Sequence, residues 1–465
     1  MEIEYQFIVR FFILHKIIRE GITTKRERLF DTGVRPEAER AYLVAVEADE
    51  HDTMWGVEDS LNELATLART AGAQVMGTLI QRLPHPDPLT YVGKGKAQEL
   101  RDQVQQLNCS LAIFDHELSP NQQRALEKLL NVRVVDRTAL ILDIFAQHAR
   151  TREGRLQVEL AQLEYRLPRL AGREVEYTRQ GGGSRGAGAG SAGGAIGVRG
   201  PGETRLEIDR RRIRSRIAEL KDEIEEVRSQ RALHRQQRIA QAIPVVAVVG
   251  YTNAGKSTLF NALTEAGVLA ENKLFATLDP ITRHIVLPGN QEALITDTVG
   301  FIQKLPTRLI AAFRATLEEV IEADLLLQVV DISHENAIEQ SETVNEVLEE
   351  LDAHDKPEVT ALNKIDLLDD PAGIDISLYP NAVPVSALRQ EGLDALLQKL
   401  AEVLASSMDH VQVVIPFQRG ELVELFHRRG RVDIERHEDN GTFIAGRIPR
   451  TLRGYYASYA HVTSS

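Results

Sequence analysis

The chain has 465 residues, too many for one hydrophobic core, which predicts about three or four domains. With 43% hydrophobic and 26% charged residues it is globular in composition, and a formal net charge of −13 argues against a protein that coats nucleic acid with its whole surface. A single cysteine, Cys109, excludes an internal disulfide and fits a reducing compartment, and Cys/His metal-ligand spacing is absent from the sequence.

Residues 1–38 contain an apolar run at 7–18 that carries Arg10, His15 and Lys16. This run is too short and too charged to span a membrane, and the small-residue cleavage site of a secretory signal is absent from this sequence. The segment fits an amphipathic or frayed helix, or a start codon upstream of a shorter working protein. We assign it no function.

Strand-like and helix-like segments alternate along residues 39–149, which predicts a small α/β domain with a parallel sheet and helices on its faces. Ser119 and Pro120 suit the N-cap and first turn of a helix. We expect strands at 41–46, 74–80, 110–115 and 131–136, and helices at 58–71, 97–107 and 121–130.

Residues 91–96 read YVGKGK and precede one of these helices. Their two glycines and two lysines could bring N–H and ammonium groups to a phosphate. The alternative is an ordinary strand-to-helix turn with solvated lysines. The residues alone leave both readings open.

Two apolar seams in residues 150–242 predict an antiparallel helical hairpin. Their members recur at steps of three and four, as in packed helix pairs: Leu156, Leu160, Leu163, Leu167 and Leu170, then Ile213, Ile217, Leu220, Ile224 and Val227. Pro168 should kink or end the first helix. The glycine-rich connector at 181–202 predicts a long, mobile loop.

The hairpin region is basic although the chain is acidic. Residues 150–238 hold 20 Lys or Arg and 13 Asp or Glu, a net charge of +7. Arginines among flexible glycines suit binding to RNA phosphates; the alternative is a solvated coiled-coil surface. The arginines concerned are Arg210, Arg211, Arg212, Arg214 and Arg216, with Arg179, Arg185 and Arg199 in or near the loop.

Residues 250–257 match the pattern G-x-x-x-x-G-K-[ST] of a phosphate-binding loop. A strand-like run at 244–249 precedes the loop and a helix-like segment at 257–263 follows it, as the motif requires. Lys256 can reach the β- and γ-phosphates, and Ser257 can ligate Mg²⁺. The predicted nucleotide contacts here are Gly250, Tyr251, Thr252, Asn253, Ala254, Gly255, Lys256 and Ser257.

Two further segments fit the terminal phosphate and Mg²⁺. Gly300 can sense the γ-phosphate through its N–H group, and Asp297 can hold a metal-bound water. Thr277 is the preferred second hydroxyl on Mg²⁺, and Thr282 is the alternative. The predicted catalytic residues are Lys256, Thr277 and Gly300. The segments comprise Phe275, Ala276, Thr277, Leu278 and Asp279, and Asp297, Thr298, Val299 and Gly300.

The sequence NKID follows a strand-like run at 358–362 and predicts guanine specificity. A carboxylate at Asp366 can accept hydrogen bonds from N1–H and the N2 amine of guanine, a donor pair that adenine lacks. Lys364 would lie along the base, and Asn363 would join this loop to the phosphate loop. Ile365 completes the motif, and the backbone of Val385, Ser386 and Ala387 would contact the guanine O6.

Phe301 occupies the position where many regulatory GTPases carry a water-orienting glutamine. A phenyl ring cannot orient water by hydrogen bonding, so we expect slow intrinsic hydrolysis that a partner accelerates. The alternative is that Phe301 packs within its own domain while another group positions the water.

The predicted GTPase domain spans residues 243–405 and ends with a helix at 392–404. A small α+β domain follows at 411–455, with strands at 411–415, 432–436 and 442–447 and a helix at 420–429. Three tyrosines near the end could stack on a partner, although core packing or disorder is the favoured reading: Tyr455, Tyr456 and Tyr459.

The segments GYTNAGKST, FATLDPITR, DTVGFIQKLP and NKID resemble, in this order, the HflX branch of the Obg-related P-loop GTPases. YVGKGK and the glycine-rich hairpin are similar to the same family, so the resemblance covers roughly residues 40–450. It implies a multidomain α/β protein: an N-terminal parallel-sheet unit, a long helical hairpin, a P-loop GTPase domain and a small C-terminal α+β unit. Phe301 is also what this family typically carries.

The resemblance further implies a cytosolic protein that binds GTP, GDP and Mg²⁺ and associates with ribosomes or peripherally with the inner face of the membrane. Its implied partner is the 50S subunit with its 23S rRNA, and its implied activity is splitting or rescue of stalled 70S ribosomes under stress. Some family members also hydrolyse ATP. The residues leave two alternatives open: a ribosome-assembly GTPase, and a nucleotide-gated scaffold for a protein partner.

Overall fold

The computed structural model describes residues 38–48, 56–170, 201–241, 243–264, 274–275, 279–304, 314–370, 373–406, 408–438, 440–449 and 452–460. The chain divides into two units, Met1–Ala38 and Glu39–Ser465. The first unit lies outside the described residues except for Ala38, so the N-terminal extension stays a prediction. The helices and strands named below belong to the second unit.

Four parallel strands form the first sheet, in the order β2-β1-β3-β4. Strand β1 is apolar at most positions because it lies inside a parallel sheet and is almost wholly buried. Each strand and helix predicted for 39–149 overlaps an observed one. The strands are β1 (Arg40–Ala48), β2 (Gln74–Leu83), β3 (Leu111–Phe114) and β4 (Arg133–Asp136), and the helices are α1 (Val57–Thr70), α2 (Lys94–Gln106), α3 (Pro120–Leu130) and α4 (Arg137–His148).

Helix α4 follows β4 directly and is not among the predicted helices. Asp136 caps this helix by accepting a hydrogen bond from the Ala139 N–H at 2.9 Å. The same carboxylate accepts from the Tyr165 hydroxyl at 2.8 Å and from Arg169 at 3.0 Å. An aspartate followed by an apolar run of helical spacing is the signal that could have revealed this helix.

The 91–96 motif forms an ordered turn from strand to helix. Helix α2 begins at Lys94 with Gly93 as N-cap, so both lysines of the motif lie in its first turn. The Gly93 N–H donates to Gln81 Oε1 at 2.8 Å, and Tyr91 is buried with φ 63°. Phosphate binding at this turn stays a prediction.

Helices α5 (Arg152–Arg169) and α6 (Pro201–Gln241) form the hairpin and pack along the predicted seams. Helix α5 ends one residue after Pro168, as predicted. Helix α6 begins at Pro201, so the last two residues of the predicted loop lie in its first turn, and 181–200 lie outside the described residues. The packed seam residues are Leu156, Leu160, Leu163, Ile217, Leu220 and Ile224.

One arginine of the basic cluster is used inside the hairpin. Arg216 pairs with Glu159 at 2.9 Å and with Glu223 at 3.2 Å, and the bond to Glu159 raises its pKa. This arginine therefore joins α5 to α6. Of the other predicted arginines, Arg211, Arg212 and Arg214 are exposed and Arg210 is half-buried. The loop arginines Arg179, Arg185 and Arg199 lie outside the described residues.

Six strands form the second sheet, in the order β10-β9-β8-β5-β7-β6, with only β6 antiparallel to its neighbour. In such a sheet ligands bind beyond the carboxyl ends of the parallel strands, where the motifs lie. The strands are β5 (Val245–Gly250), β6 (Ile281–Leu287), β7 (Gln291–Asp297), β8 (Leu325–Asp331), β9 (Glu358–Asn363) and β10 (Val383–Pro384). The helices are α7 (Lys256–Thr264), α8 (Arg314–Glu322), α9 (Ala337–Glu350) and α10 (Leu393–Ser406).

The C-terminal sheet is antiparallel, with β13 (Gly441–Ile448) between β11 (Asp409–Ile415) and β12 (Arg431–Glu438). Helix α11 (Gly420–Arg429) packs on it, and a short helix α12 (Arg453–Tyr456) follows.

Core packing accounts for Tyr456, whose ring lies edge-on to Phe426 at 5.4 Å and whose hydroxyl donates to the Leu422 carbonyl at 2.8 Å. Tyr459 packs against the same cluster, whereas Tyr455 is exposed. In the part of the chain that the structure describes, no helix is long and apolar enough to cross a membrane.

Candidate nucleotide-binding site

Residues 250–255 curl between β5 and α7 as a phosphate-binding loop. Gly250 has φ 144° and Gly255 has φ 97°, conformations that side-chain-bearing residues rarely adopt. A Cβ at Gly250 would collide with the Val329 carbonyl, and one at Gly255 would collide with Asn363 Nδ2. The spacing of the two glycines is therefore fixed by backbone conformation and by close neighbours. Between them, Thr252 and Ala254 are buried and Asn253 is exposed.

Lys256 lies in the first turn of α7 and is 7% exposed. Its Nζ donates to the carbonyls of Gly250 at 3.0 Å and Tyr251 at 2.7 Å, which holds the ammonium inside the loop. Burial lowers the pKa of Lys256 to about 8, and the negative charge of Asp297 partly opposes that shift. A phosphate placed in the loop would supply the anion that this buried cation lacks.

The predicted Mg²⁺ ligand Ser257 donates its hydroxyl to Asp297 Oδ2 at 2.8 Å. Hydroxyl and carboxylate oxygens side by side suit Mg²⁺, which prefers hard oxygen ligands and retains several waters. Thr277 lies outside the described residues together with Ala276 and Leu278. The alternative ligand, Thr282, is on β6, where its hydroxyl lies 3.0 Å from that of Thr296.

The segment after β7 lies against the phosphate loop. The Phe301 N–H donates to the Gly250 carbonyl at 3.1 Å, and the Thr252 N–H donates to the Phe301 carbonyl at 2.8 Å. A Cβ at Gly300 would lie 2.8 Å from Lys256 Nζ and 3.0 Å from Thr252 Cα, so a larger residue would press on the phosphate loop. In the same segment, the Thr298 hydroxyl donates to the Val248 carbonyl at 2.6 Å, and Val299 is buried in the core.

Phe301 is 1% exposed and belongs to the hydrophobic core that also holds Tyr251 and Ile302. Its ring therefore packs within the protein, while the positioning of the water by another group stays a prediction.

Asn363 joins the phosphate loop to the guanine-type loop, as predicted. Its Nδ2 donates to the Ala254 carbonyl at 2.8 Å, and its Oδ1 accepts from the Ala387 N–H at 3.0 Å. Asp366 is half-buried and accepts a hydrogen bond from the Ser386 hydroxyl at 2.6 Å, which orients one carboxylate oxygen. The motif is completed by the Ile365 N–H, which donates to the Val385 carbonyl at 3.4 Å.

Lys364 is held beside these residues in the left-handed region, at φ 67°. Its Nζ donates to Asp331 Oδ2 at 2.5 Å, at the carboxyl end of β8. The structure thus brings together at one edge of the sheet the predicted phosphate, metal and guanine residues that it describes.

Two residues predicted to contact the nucleotide, Phe275 and Asp279, use their side chains for other contacts in this structure, and their nucleotide contacts stay predictions. The buried Phe275 ring packs edge-on against Phe145 of α4, with centroids 4.7 Å apart. The Asp279 carboxylate accepts from the N–H groups of Arg150 and Thr151, at 2.9 and 2.8 Å, and from the Thr151 hydroxyl. Both side chains therefore contact the N-terminal half of the protein, Phe275 on α4 and Asp279 on the two residues that precede α5.

Sequence reasoning misses a further group of residues near the site. In the N-terminal domain, Arg137 pairs with both Glu63 and Asp115. Lys304 of the GTPase domain also pairs with Asp115. Each comes from a different element, and no local pattern marks them. The Tyr251 hydroxyl of the phosphate loop also donates to Glu63.

The loop, its buried lysine, the adjacent carboxylate and the Asn363–Asp366 motif define a P-loop GTPase, and the comparisons agree. Family models match four consecutive segments: GTP-binding GTPase N-terminal at 58–146, GTP-binding GTPase Middle Region at 148–238, 50S ribosome-binding GTPase at 245–364 and HflX C-terminal domain at 376–448. Together these models cover most of the chain.

Curated relatives extend the match over nearly the whole protein. The GTPase HflX of Caldanaerobacter subterraneus subsp. tengcongensis is 46% identical over 413 residues, covering 89% of this chain and 91% of that protein. The Escherichia coli K12 GTPase HflX is 44% identical over 387 residues, covering 83% and 88%. The chain therefore belongs to the HflX family and is a GTP hydrolase.

Among solved structures, a GTP-binding protein from the archaeon Sulfolobus solfataricus in complex with GDP is 26% identical. The match covers 79% of this chain and 99% of that one, with a TM-score of 0.39.

Proposed function

We propose that this GTPase binds the 50S ribosomal subunit in its GTP state, splits or rescues stalled 70S ribosomes during stress, and is released when GTP is hydrolysed. The observation that carries the proposal is the contact of Asp279 with the start of the hairpin helix α5. Asp279 lies in the same segment as Thr277, two residues after this predicted Mg²⁺ ligand. Ordering of that segment by GTP would therefore fix the start of the basic hairpin.

The nucleotide site supplies the chemistry of this switch. Lys256 would neutralise charge on the β- and γ-phosphates, and the Gly300 N–H would donate to the γ-phosphate. Mg²⁺ would be held by Ser257 and Thr277, with Asp297 acting through a bound water, and it would neutralise the charge that develops on the phosphates. Asp366 would select guanine.

Hydrolysis in the free protein should be slow. The buried Phe301 ring cannot orient water, and the surrounding loops would gain their catalytic order from the ribosome. Single-turnover hydrolysis of GTP by the purified chain, with and without 50S subunits, measures this expectation; equal rates would contradict it.

The hairpin supplies the RNA-binding surface. Arg211, Arg212 and Arg214 are exposed on α6, and a cation row of this kind binds rRNA phosphates with release of counterions. The match of residues 245–364 to the 50S ribosome-binding GTPase model supports the large subunit as the partner. Through this partner the protein would work in the cytosol on 23S rRNA.

Pelleting with purified 50S subunits tests the hairpin directly. We expect the chain to pellet with a non-hydrolysable GTP analogue and to stay in solution with GDP. Replacement of Arg210, Arg211 and Arg212 by glutamine should weaken pelleting by about tenfold and flatten its dependence on salt, because each lost phosphate contact lowers the salt slope by about one.

A matched triple variant controls for lost positive charge. Arg69, Arg431 and Arg436 are exposed outside the hairpin, and their replacement by glutamine should leave pelleting unchanged. Equal loss in both triple variants would refute the hairpin as the contact surface. Association with precursor particles in place of mature subunits would instead indicate an assembly GTPase.

A further inference from the structure

Four charged side chains form a buried ion cluster, here defined as Glu63, Asp115, Arg137 and Lys304. Glu63 lies on α1, Asp115 follows β3, and Arg137 is the first residue of α4. Lys304 belongs to the GTPase domain and lies four residues after Gly300. The side chains of Asp115 and Arg137 are 0% and 2% exposed, and that of Lys304 is 20% exposed.

The ion cluster is held by a chain of contacts. Arg137 pairs with Asp115 at 2.6 Å and also with Glu63. Lys304 pairs with Asp115 and donates to the Ser60 hydroxyl at 2.9 Å, and Ser60 donates to Asp115 at 2.8 Å. The two acids and two bases balance in charge, as burial of ions requires.

Each buried ion depends on its partners. Burial raises the pKa of Asp115 and lowers the pKa of Lys304, and in each case the opposite charge of the other resists the shift. Withdrawal of Lys304 would leave Asp115 and Glu63 facing the single charge of Arg137. A buried, unbalanced charge is costly, so the cluster should be either closed or open with little in between.

The ion cluster is also tied to the phosphate loop. The Tyr251 hydroxyl donates to Glu63 and accepts from the Gln303 N–H at 2.9 Å. Tyr251 and Phe301 form a parallel β-bridge, and Lys304 follows Phe301 by three residues. With the cluster closed, Gly300 lies against Lys256, the arrangement in which both can reach the same phosphate.

We propose that the buried ion cluster couples the γ-phosphate to the N-terminal sheet, with Lys304 and Tyr251 as positioning residues. Closure of the cluster favours Gly300 beside Lys256 and so favours GTP over GDP. By thermodynamic reciprocity, GTP in turn favours a docked N-terminal sheet. This coupling belongs to the GTPase itself and needs no ribosome, so it can fail or hold independently of the proposed 50S binding.

A charge-balanced double variant of the full chain tests the coupling. Lys304→Met with Asp115→Asn removes one pair and leaves Arg137 paired with Glu63. We expect the affinity for a fluorescent non-hydrolysable GTP analogue to fall about fivefold relative to that for fluorescent GDP, at the low end of typical couplings between sites. A purely structural contact would lower the melting temperature without changing this ratio.

Hydrogen–deuterium exchange supplies a second readout. In the parent chain, peptides from α1 and α4 should exchange more slowly with the GTP analogue than with GDP. The double variant should lose this difference in α1 and α4, whereas peptides from its phosphate loop should still exchange more slowly with the GTP analogue. The control is an exposed ion pair of the same sheet, Arg82→Met with Glu47→Gln, whose ratio and exchange should match the parent.

Two milder variants cover the case in which the double variant fails to fold. Tyr251→Phe deletes the hydroxyl contacts without changing charge and should lower the GTP-to-GDP affinity ratio about threefold, whereas Lys304→Arg should keep the ratio within twofold. A Tyr251→Phe ratio within twofold of the parent, or a ratio shifted toward GTP, overturns the proposal.

Discussion

The Asp279 contact yields a prediction whose size follows from the structure. Asp279→Ala removes three acceptor contacts at the start of α5, to the N–H groups of Arg150 and Thr151 and to the Thr151 hydroxyl. Hydrogen bonds of this partly exposed kind contribute about 0.5–1.5 kcal/mol. Taking about 1.4 kcal/mol, which is a factor of about ten in binding, the GTP-over-GDP preference for 50S subunits should fall about tenfold.

Titration of 50S subunits against the fluorescently labelled chain, with GTP analogue or GDP, measures this preference. Glu318→Gln is the matched control, because Glu318 on α8 pairs with Arg228 of α6 at 2.5 Å and so joins the same hairpin to the GTPase domain away from the Asp279 contact. The control should keep the preference. If Asp279→Ala also keeps the GTP-over-GDP preference for 50S subunits and binds nucleotide normally, Asp279 does not couple the nucleotide to the hairpin.

Two further predictions concern the nucleotide itself. Asp366→Asn should weaken GTP binding about 100-fold, because hydrogen bonds to a charged group contribute about 1.5–3 kcal/mol. The variant should instead favour xanthosine triphosphate, and competition titration measures this change in base preference. An unchanged preference for guanine would show that Asp366 does not select the base. GTP affinity should also fall about tenfold between pH 7 and pH 9. The Lys256 pKa is about 8, a bound phosphate raises it, and binding above pH 8 must therefore take up a proton. A flat profile would show that Lys256 stays charged.

The nucleotide site was largely predictable because its parts are local. The spacing of Gly250 and Gly255 encodes a backbone path, and Asn363 and Asp366 follow a strand whose end must face that path. A few adjacent residues suffice to state such a pattern.

Long-range contacts were not predictable in the same way. Glu63, Arg137 and Lys304 are far apart in the sequence, and only the packing of α1 and α4 against the segment after β7 brings them together. Phe275 and Asp279 are predicted to contact the nucleotide because they flank Thr277. Their side chains instead contact α4 and the residues that precede α5. Charge counting likewise missed that Arg216 is bound within the hairpin.

The most direct test of a GTP-gated ribosome factor is sucrose-gradient sedimentation of purified 70S ribosomes with the full chain. We expect the GTP analogue to convert 70S particles into 30S and 50S subunits with the protein in the 50S peak, and GDP to leave 70S particles intact and the protein at the top of the gradient. Equal profiles with the two nucleotides, or protein absent from the 50S peak, would contradict this expectation.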